Sequence, residues 1–109
     1  MNSAHSFWSQ PQIALVDPMC KQGYDLGDLS KGGLGGTEAT VMRVCAALGT
    51  SFAFTHYQNG RQGIGWSSAG KLAPLAHIGT TIDAAAIIVI NSWKMAVKLR
   101  KAHPQVPIF

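Results

Sequence analysis

A glycine-rich run, KGGLGGTEAT at residues 31–40, contains the residues of this sequence best suited to chemistry. Four glycines occupy five consecutive positions, and a helical pattern follows at once. Glycines let backbone N–H groups approach a ligand closely, and the N-terminus of a helix offers free N–H groups and a partial positive charge. The run therefore predicts a loop that binds an anionic ligand. A flexible hinge that leads into a helix is the alternative interpretation.

Two well-known phosphate-binding motifs do not fit this run. A P-loop requires a lysine after its last glycine, but Gly36 is followed by Thr37 and Glu38. The dinucleotide fingerprint G-x-G-x-x-G begins at Gly33, yet its third glycine position holds Glu38. The Glu38 carboxylate would repel a phosphate, so contact with sugar hydroxyls is the more natural role for it.

Other polar residues have a structural explanation as well as a functional one. Asn91 and Ser92 follow an apolar run, where they can face a ligand or begin a helix. His56 follows a predicted strand, and a core or surface histidine is the simpler interpretation. Cys20 and Cys45 show no CxxC spacing, so neither a zinc site nor a disulfide framework is indicated.

The elements that must position these residues alternate between strands and helices. Continuous apolar runs, which suit strands buried on both faces of a parallel sheet, occur at 13–16 and 84–90. Further strands are predicted at 51–55, at 72–78 and from 106 onward, with helices at 39–48 and 93–103. The fold class is α/β, a Rossmann-like, mostly parallel sheet flanked by helices.

Finer details of these elements can also be predicted. Thr37 can cap the first helix, whose apolar face is formed by Val41, Val44, Cys45 and Leu48 at helical spacing. Pro74 favours a sheet edge for the third strand, since proline cannot donate to the ladder. The residues from 56 to 71 are predicted to form a loop, with room for a tight hairpin. The second helix carries Trp93, Ala96, Val97 and Arg100 at helical spacing, and Trp93 and Trp66 are expected to be core or interface aromatics.

Composition limits the class of protein. With 109 residues, 47% of them hydrophobic and 13% charged, the chain has the size and composition of one folded domain. The net charge is +4. Four of the nine basic residues lie between Lys94 and Lys101, a pattern expected for the solvent-exposed face of a helix and not for a nucleic-acid site. No segment resembles a secretory signal, and the longest apolar run, Ala84–Ile90, is too short to cross a bilayer. We expect a cytoplasmic protein that can lie against a membrane without spanning it.

The arrangement around the glycine run resembles a known family. A first strand, a long loop that ends in GGLGGTE at 32–38, and an amphipathic helix at Ala39–Leu48 are similar to the N-terminal domain of retaining glycosyltransferases of the GT-B architecture, the glycosyl transferase group 1 family. The second half agrees in layout, with a strand that ends at Ile90, then Asn91-Ser92 and a helix that runs to Pro104.

The resemblance implies a function. In that family the glycine loop faces the cleft between two domains, near the donor diphosphate and the acceptor. The partners would be a nucleotide-sugar donor and a carbohydrate or lipid-linked acceptor, with no nucleic acid, cofactor or metal. No catalytic residue is assigned, and neither His56 nor His77 matches the family's cleft histidine. The substrate-binding residues implied are Gly33, Gly35, Gly36, Thr37, Glu38 and Asn91.

The donor nucleotide of this family lies mainly on a second, C-terminal domain. We therefore expect residues 1–109 to be a partial, acceptor-side domain that is incomplete at its C-terminal side and inactive alone, with 1–10 as a loose lead-in. An open sheet edge would favour self-association. Two other classes remain open: a free-standing α/β module that binds a phosphorylated or sugar ligand, and a structural fragment that docks on a partner.

Overall fold

A five-stranded sheet lies at the centre of the computed structural model, which describes residues 10–29, 35–79 and 82–109. The strands, in chain order, are β1 (Gln12–Asp17), β2 (Ala53–Gln58), β3 (Gly65–Ser67), β4 (Gly70–Pro74) and β5 (Ala86–Val89). The helices are α1 (Gly36–Ala47) and α2 (Trp93–Ala102), with short 3₁₀ helices at Leu26–Leu29 and Leu75–His77.

The strands lie in the order β3-β4-β2-β1-β5, and most of them are parallel. β1 pairs in parallel with β2 and β5, and β2 pairs in parallel with β4. Only the pairing of β3 with β4 is antiparallel among the described strands, so the sheet is mixed. The predicted α/β class with a mostly parallel sheet is confirmed.

The predicted last strand is present as an isolated bridge beside β5. Ile108 bridges to Ile87 in parallel, and the Phe109 amide donates to the Ile87 carbonyl at 2.9 Å. The outer edges of the described sheet are therefore β3 on one side and the 107–109 segment on the other. The self-association expected from an open edge stays a prediction.

Each face of the sheet is covered by one of the two helices, because successive side chains of a strand point to opposite faces. On one face, Leu15 of β1 packs with Met42 and Cys45 of α1. On the other face, Ala14 and Val16 belong to the cluster of Leu99, which lies on α2.

The start of α1 differs from the sequence-based prediction. Gly35 is the residue before the first turn; it has an extended backbone and no side chain with which to cap the helix. Thr37 lies inside the first turn and is exposed, so the prediction that it caps α1 is wrong. A capping side chain must come from the residue before the first helical position. The first helical position is Gly36, so Thr37 comes too late to cap the helix.

The buried face of α1 is also rotated from the predicted one. Met42 and Cys45 are buried, whereas Val44 and Leu48 are 49% and 40% exposed. Val41 packs at the margin of the core. Apolar residues occur on both sides of this helix, so helical spacing alone does not identify the buried side. It selected Val44 and Leu48, which are exposed, and left out Met42, which is buried.

Pro74 does not mark an edge strand. β4 lies between β2 and β3, and Pro74 is its last residue, opposite Gln58. The three-residue β3 pairs only with Gly70, Lys71 and Leu72, so on the β3 side the ladder ends before Pro74.

A tight hairpin is present between residues 56 and 71, as the sequence permits, but the prediction of a loop is wrong at 56–58, 65–67 and 70–71, which belong to strands. Ser68 and Ala69 join β3 to β4, and Gly70 follows with φ at 118°. A Cβ atom at Gly70 would collide with the Phe54 carbonyl oxygen, so both the backbone conformation and the space require glycine.

Trp66 of β3 and Trp93 of α2 are 74% and 73% exposed, so a place in the core is wrong for both, and the alternative of a place in an interface stays a prediction. The rings of Phe54 and Tyr57, both on β2, pack beneath the helices instead. Residues 1–9 of the predicted lead-in lie outside the described residues. Within the described ranges, no helix has the length and apolar character needed to cross a membrane.

Candidate functional site

The carboxyl ends of β1 and β5 define the candidate site. From β1 the chain goes to one side of the sheet, through β2 and β4, and then crosses to β5 on the other side. In open α/β sheets, ligands bind in the crevice outside the carboxyl ends of the strands where the order reverses in this way. Because α1 connects the end of β1 to the start of the parallel β2, its N-terminus lies at this edge. Asn91 reaches the same edge because it follows β5.

The start of α1 is open to solvent. A Cβ atom built on Gly36 would meet no atom of the described residues within 4 Å. Gly35 has φ at −67°, which any residue can adopt, and a Cβ atom there would meet only the end of the flexible Glu38 side chain. Neither glycine is therefore required by the fold. Gly33, the remaining glycine of the predicted site, lies outside the described residues.

The first turn of α1 presents polar groups to this open space. Its leading N–H groups have no partner within the helix, because an α-helix leaves its first four donors unpaired internally. Thr37 is exposed, and Glu38 is half-buried beside Gly35. The Thr40 hydroxyl donates to the Gly36 carbonyl at 2.9 Å, so this side chain supports the turn.

Asn91 has a left-handed backbone, with φ at 55°. Asparagine tolerates this conformation better than most residues, and such conformations cluster at functional sites. Its side chain is exposed. Ser92 has the structural role foreseen for it, since its hydroxyl accepts from the Met95 amide at 3.2 Å and caps α2.

A buried polar cluster at the ends of β1 and β2 was not predicted. The strand register sets Asp17 opposite Gln58. Asp17 accepts from the Tyr24 hydroxyl at 2.6 Å and, through its other oxygen, from the Met19 and Cys20 amides at 3.2 Å. The three hydrogen bonds of this carboxylate therefore all support the fold of the loop after β1.

Gln58 completes the cluster. Its Oε1 accepts from the Tyr24 amide at 3.1 Å, and its Nε2 donates to the Tyr24 carbonyl at 2.9 Å. Burial, followed by the hydrogen bond to Asp17, raises the pKa of Tyr24, so this residue remains a phenol and a donor. Asn59 adds a bond from its side chain to the Cys20 carbonyl at 2.9 Å. The loop from 18 to 25 is thereby tied to both strands.

The cysteines have no reactive character. Burial raises the pKa of Cys20 to about 11, assisted by the negative charge of Asp17, and burial alone raises the pKa of Cys45 to about 11. Both thiols are protonated at neutral pH, and a protonated thiol is a poor nucleophile and metal ligand. Among the residues that the structure describes, no group of three His, Cys, Asp or Glu side chains could hold a metal ion.

His56 lies inside β2 and not after it, so it does not line the crevice. It is 2% exposed, and its Nε2 bonds the Ala69 carbonyl at 2.8 Å. Its Nδ1 is buried and has no hydrogen-bond partner among the residues that the structure describes. Burial lowers the pKa of His56, which keeps the ring neutral in the folded protein.

The buried ring makes folding stability dependent on pH. The unfolded chain binds a proton at His56 below a pH of about 6.5, whereas the folded chain does so only at lower pH. The contribution of the neutral His56 ring to the free energy of unfolding is therefore fully present above that pH and is lost as the pH falls below it. We expect a loss of about 1 kcal/mol between pH 7 and pH 5.5, measured by urea denaturation. His56→Gln should remove most of this loss, and His77→Gln, at an exposed position, should not. An unchanged pH dependence in His56→Gln would contradict the assignment.

Comparison of the chain with protein-family models, with curated proteins and with solved structures finds no match.

Proposed function

We propose that this chain is the acceptor-side domain of a glycosyltransferase that moves a sugar from a nucleotide-sugar donor to an acceptor. The observation that carries the proposal is the coincidence of two features at one sheet edge. The open start of α1 at Gly35 and Gly36, and the left-handed Asn91, both border the point where the strand order reverses. The proposal includes the cytoplasmic location expected from the sequence.

The strand order supports a Rossmann-like assignment. Without the antiparallel β3, the parallel strands lie in the order β4-β2-β1-β5, and the 107–109 segment follows beside β5. In chain order this is third, second, first, fourth, fifth, the order in which doubly wound dinucleotide-binding sheets begin. A GT-B enzyme contains two Rossmann-like domains, so the order agrees with the family resemblance.

Each residue at the edge has a chemical role in this proposal. The free N–H groups of the first turn of α1 would stabilise negative charge on the donor diphosphate or on a developing leaving group. The Thr37 hydroxyl and the Glu38 carboxylate would bind sugar hydroxyls, and the Asn91 amide can both donate and accept. The donor nucleotide itself would be held mainly by a second domain, as the resemblance implies.

Ligand titration followed by amide NMR tests this proposal on the 109-residue chain. Nucleotide sugars (UDP-glucose and GDP-mannose) and simple saccharides would be added at millimolar concentration. We expect shift changes concentrated at the amides of residues 35–38 and at Asn91, because these groups border the open crevice. Changes should be small or absent at Gly63, an equally open glycine outside the site.

The result also separates the competing classes of function. Shifts at the same amides with inorganic phosphate but with no sugar-containing ligand would favour a phosphate-binding module. Shifts with none of these ligands would contradict the proposal. Sugar transfer assayed on the same samples should be absent, since the donor side of the cleft is not part of this sheet.

A further inference from the structure

The outward face of α2 has an apolar centre. The helix buries Leu99 against the sheet and packs Met95 at the margin of the same cluster. At about 100° per residue, Val97 lies roughly 160° from Leu99, so it points directly away from the protein. Val97 is 47% exposed, and Trp93, one turn earlier on the same side, is 73% exposed. A helix that meets only water carries polar residues at this position.

Basic residues surround this apolar centre, which we call the Trp93–Val97 pair. On the same helical projection, Lys94 and Lys101 lie on one side of Val97 and Arg100 lies on the other, each within about 60°. Lys98 lies further round on the Lys94 side. All four of these basic residues are exposed.

No carboxylate side chain offsets this positive charge within the same part of the chain. Asp83 is the last acidic residue in the sequence, so residues 84–109 contain none. The charge pattern therefore calls for an anionic partner, and the exposed Trp93–Val97 pair calls for an apolar one.

We propose that this face of α2 binds the surface of an anionic lipid bilayer. A bilayer offers negative headgroups to the basic rim and acyl chains to the apolar centre at once. Tryptophan prefers the bilayer interface, and basic amphipathic helices lie in the plane of that interface. Nucleic acid matches this face less well as a whole, because its phosphates would meet valine at the apolar centre.

The chain contains a matched control for this face. Lys94 lies over the Trp93 ring at 6.0 Å from its centroid, and on the β3-β4 hairpin Lys71 lies over the Trp66 ring at 5.7 Å. The two tryptophans are almost equally exposed. Trp66 therefore matches Trp93 in its exposure and in its contact with a lysine, but Trp66 does not lie on a basic helix.

Co-sedimentation of the 109-residue chain with vesicles tests the proposal. We expect binding to vesicles of phosphatidylcholine with about one third phosphatidylglycerol, little binding to pure phosphatidylcholine, and weaker binding as salt increases. Trp93→Ala should weaken binding about tenfold, the effect of returning on the order of 60 Å² of apolar surface to water. Lys94→Gln together with Lys101→Gln should weaken it about twenty-fivefold, or about fivefold per cation.

Trp66→Ala should bind the vesicles like the unaltered chain. Circular dichroism would verify that each variant is folded, which is expected because all the altered side chains are exposed. The proposal is overturned if anionic vesicles are not bound at low salt, or if Trp93→Ala and Trp66→Ala bind equally well. It is also overturned if the chain binds polyuridylate RNA and not the vesicles. None of these outcomes depends on sugar binding at the start of α1.

Discussion

Asp17→Ala should lower the free energy of unfolding by about 3 kcal/mol, although this residue lies at the edge where a ligand is expected. The carboxylate is 3% exposed and accepts from the Tyr24 hydroxyl and from two backbone amides. Alanine would leave these buried donors without their acceptor. Urea denaturation at neutral pH measures the effect through the shift of the midpoint at constant slope.

Two further variants make the test specific. Tyr24→Phe removes one donor and leaves the amide bonds of Asp17 intact, so it should cost about 1.5 kcal/mol. Asp83→Ala alters an exposed carboxylate outside the cluster and should change stability by less than about 0.5 kcal/mol. If Asp17→Ala were as stable as Asp83→Ala, the cluster would not hold the loop after β1. In that case Asp17 would become a candidate for ligand binding.

The sequence predicted the strands well where burial leaves a simple pattern. β1 lies between β2 and β5, and β5 has only the 107–109 segment beyond it, yet both strands are continuous apolar runs. Their parallel direction followed from the same observation. β2 begins two residues later than predicted, because Ser51 and Phe52 complete the turn after α1.

The polar cluster could not be predicted in the same way. Asp17 and Gln58 are 41 positions apart and become neighbours only through the register of β1 with β2. Gln58 was assigned to a loop, so nothing in the sequence indicated that it would be buried. A register is fixed by packing across the whole sheet, and a local pattern does not contain it.

The helix faces were predicted poorly for a related reason. α1 and α2 each carry apolar residues on more than one side, so spacing alone does not select the buried side. Val44 and Leu48 were assigned to the apolar face of α1, and they are 49% and 40% exposed. For α2 the sequence indicated no buried face, and its exposed apolar residues, Trp93 and Val97, are the ones that suggest a bilayer-binding face.

The candidate ligand site could be predicted in part from the sequence. The residue types of the glycine run alone indicate a ligand loop, and the sequence also predicts Asn91 at the end of β5. What the structure adds is that Gly36 faces open space and that Asn91 is left-handed. Neither property identifies the ligand, because an open helix start accepts any group of suitable charge and size.

Gly36→Val should abolish the saccharide-induced shifts at the start of α1 and leave the fold intact. If glycine is present so that backbone amides can touch a ligand, a branched side chain at this position would hold the ligand away by more than about 1 Å. In an enzyme that contains this domain, a displacement of about 1 Å can reduce the rate on the order of a hundredfold. Because a Cβ atom at Gly36 meets no described atom within 4 Å, stability should change by no more than about 1–2 kcal/mol.

Gly63→Val provides the matched control, since a Cβ atom at Gly63 also meets no described atom within 4 Å and the residue belongs to the loop after β2, not to the glycine run. This variant should bind saccharides as the unaltered chain does. A hinge would respond differently, because stiffening it would change the flexibility of the loop and leave ligand affinity nearly unaltered. If folded Gly36→Val binds saccharides as tightly as Gly63→Val, the glycines do not contact a ligand. The run would then serve only to lead the chain into α1.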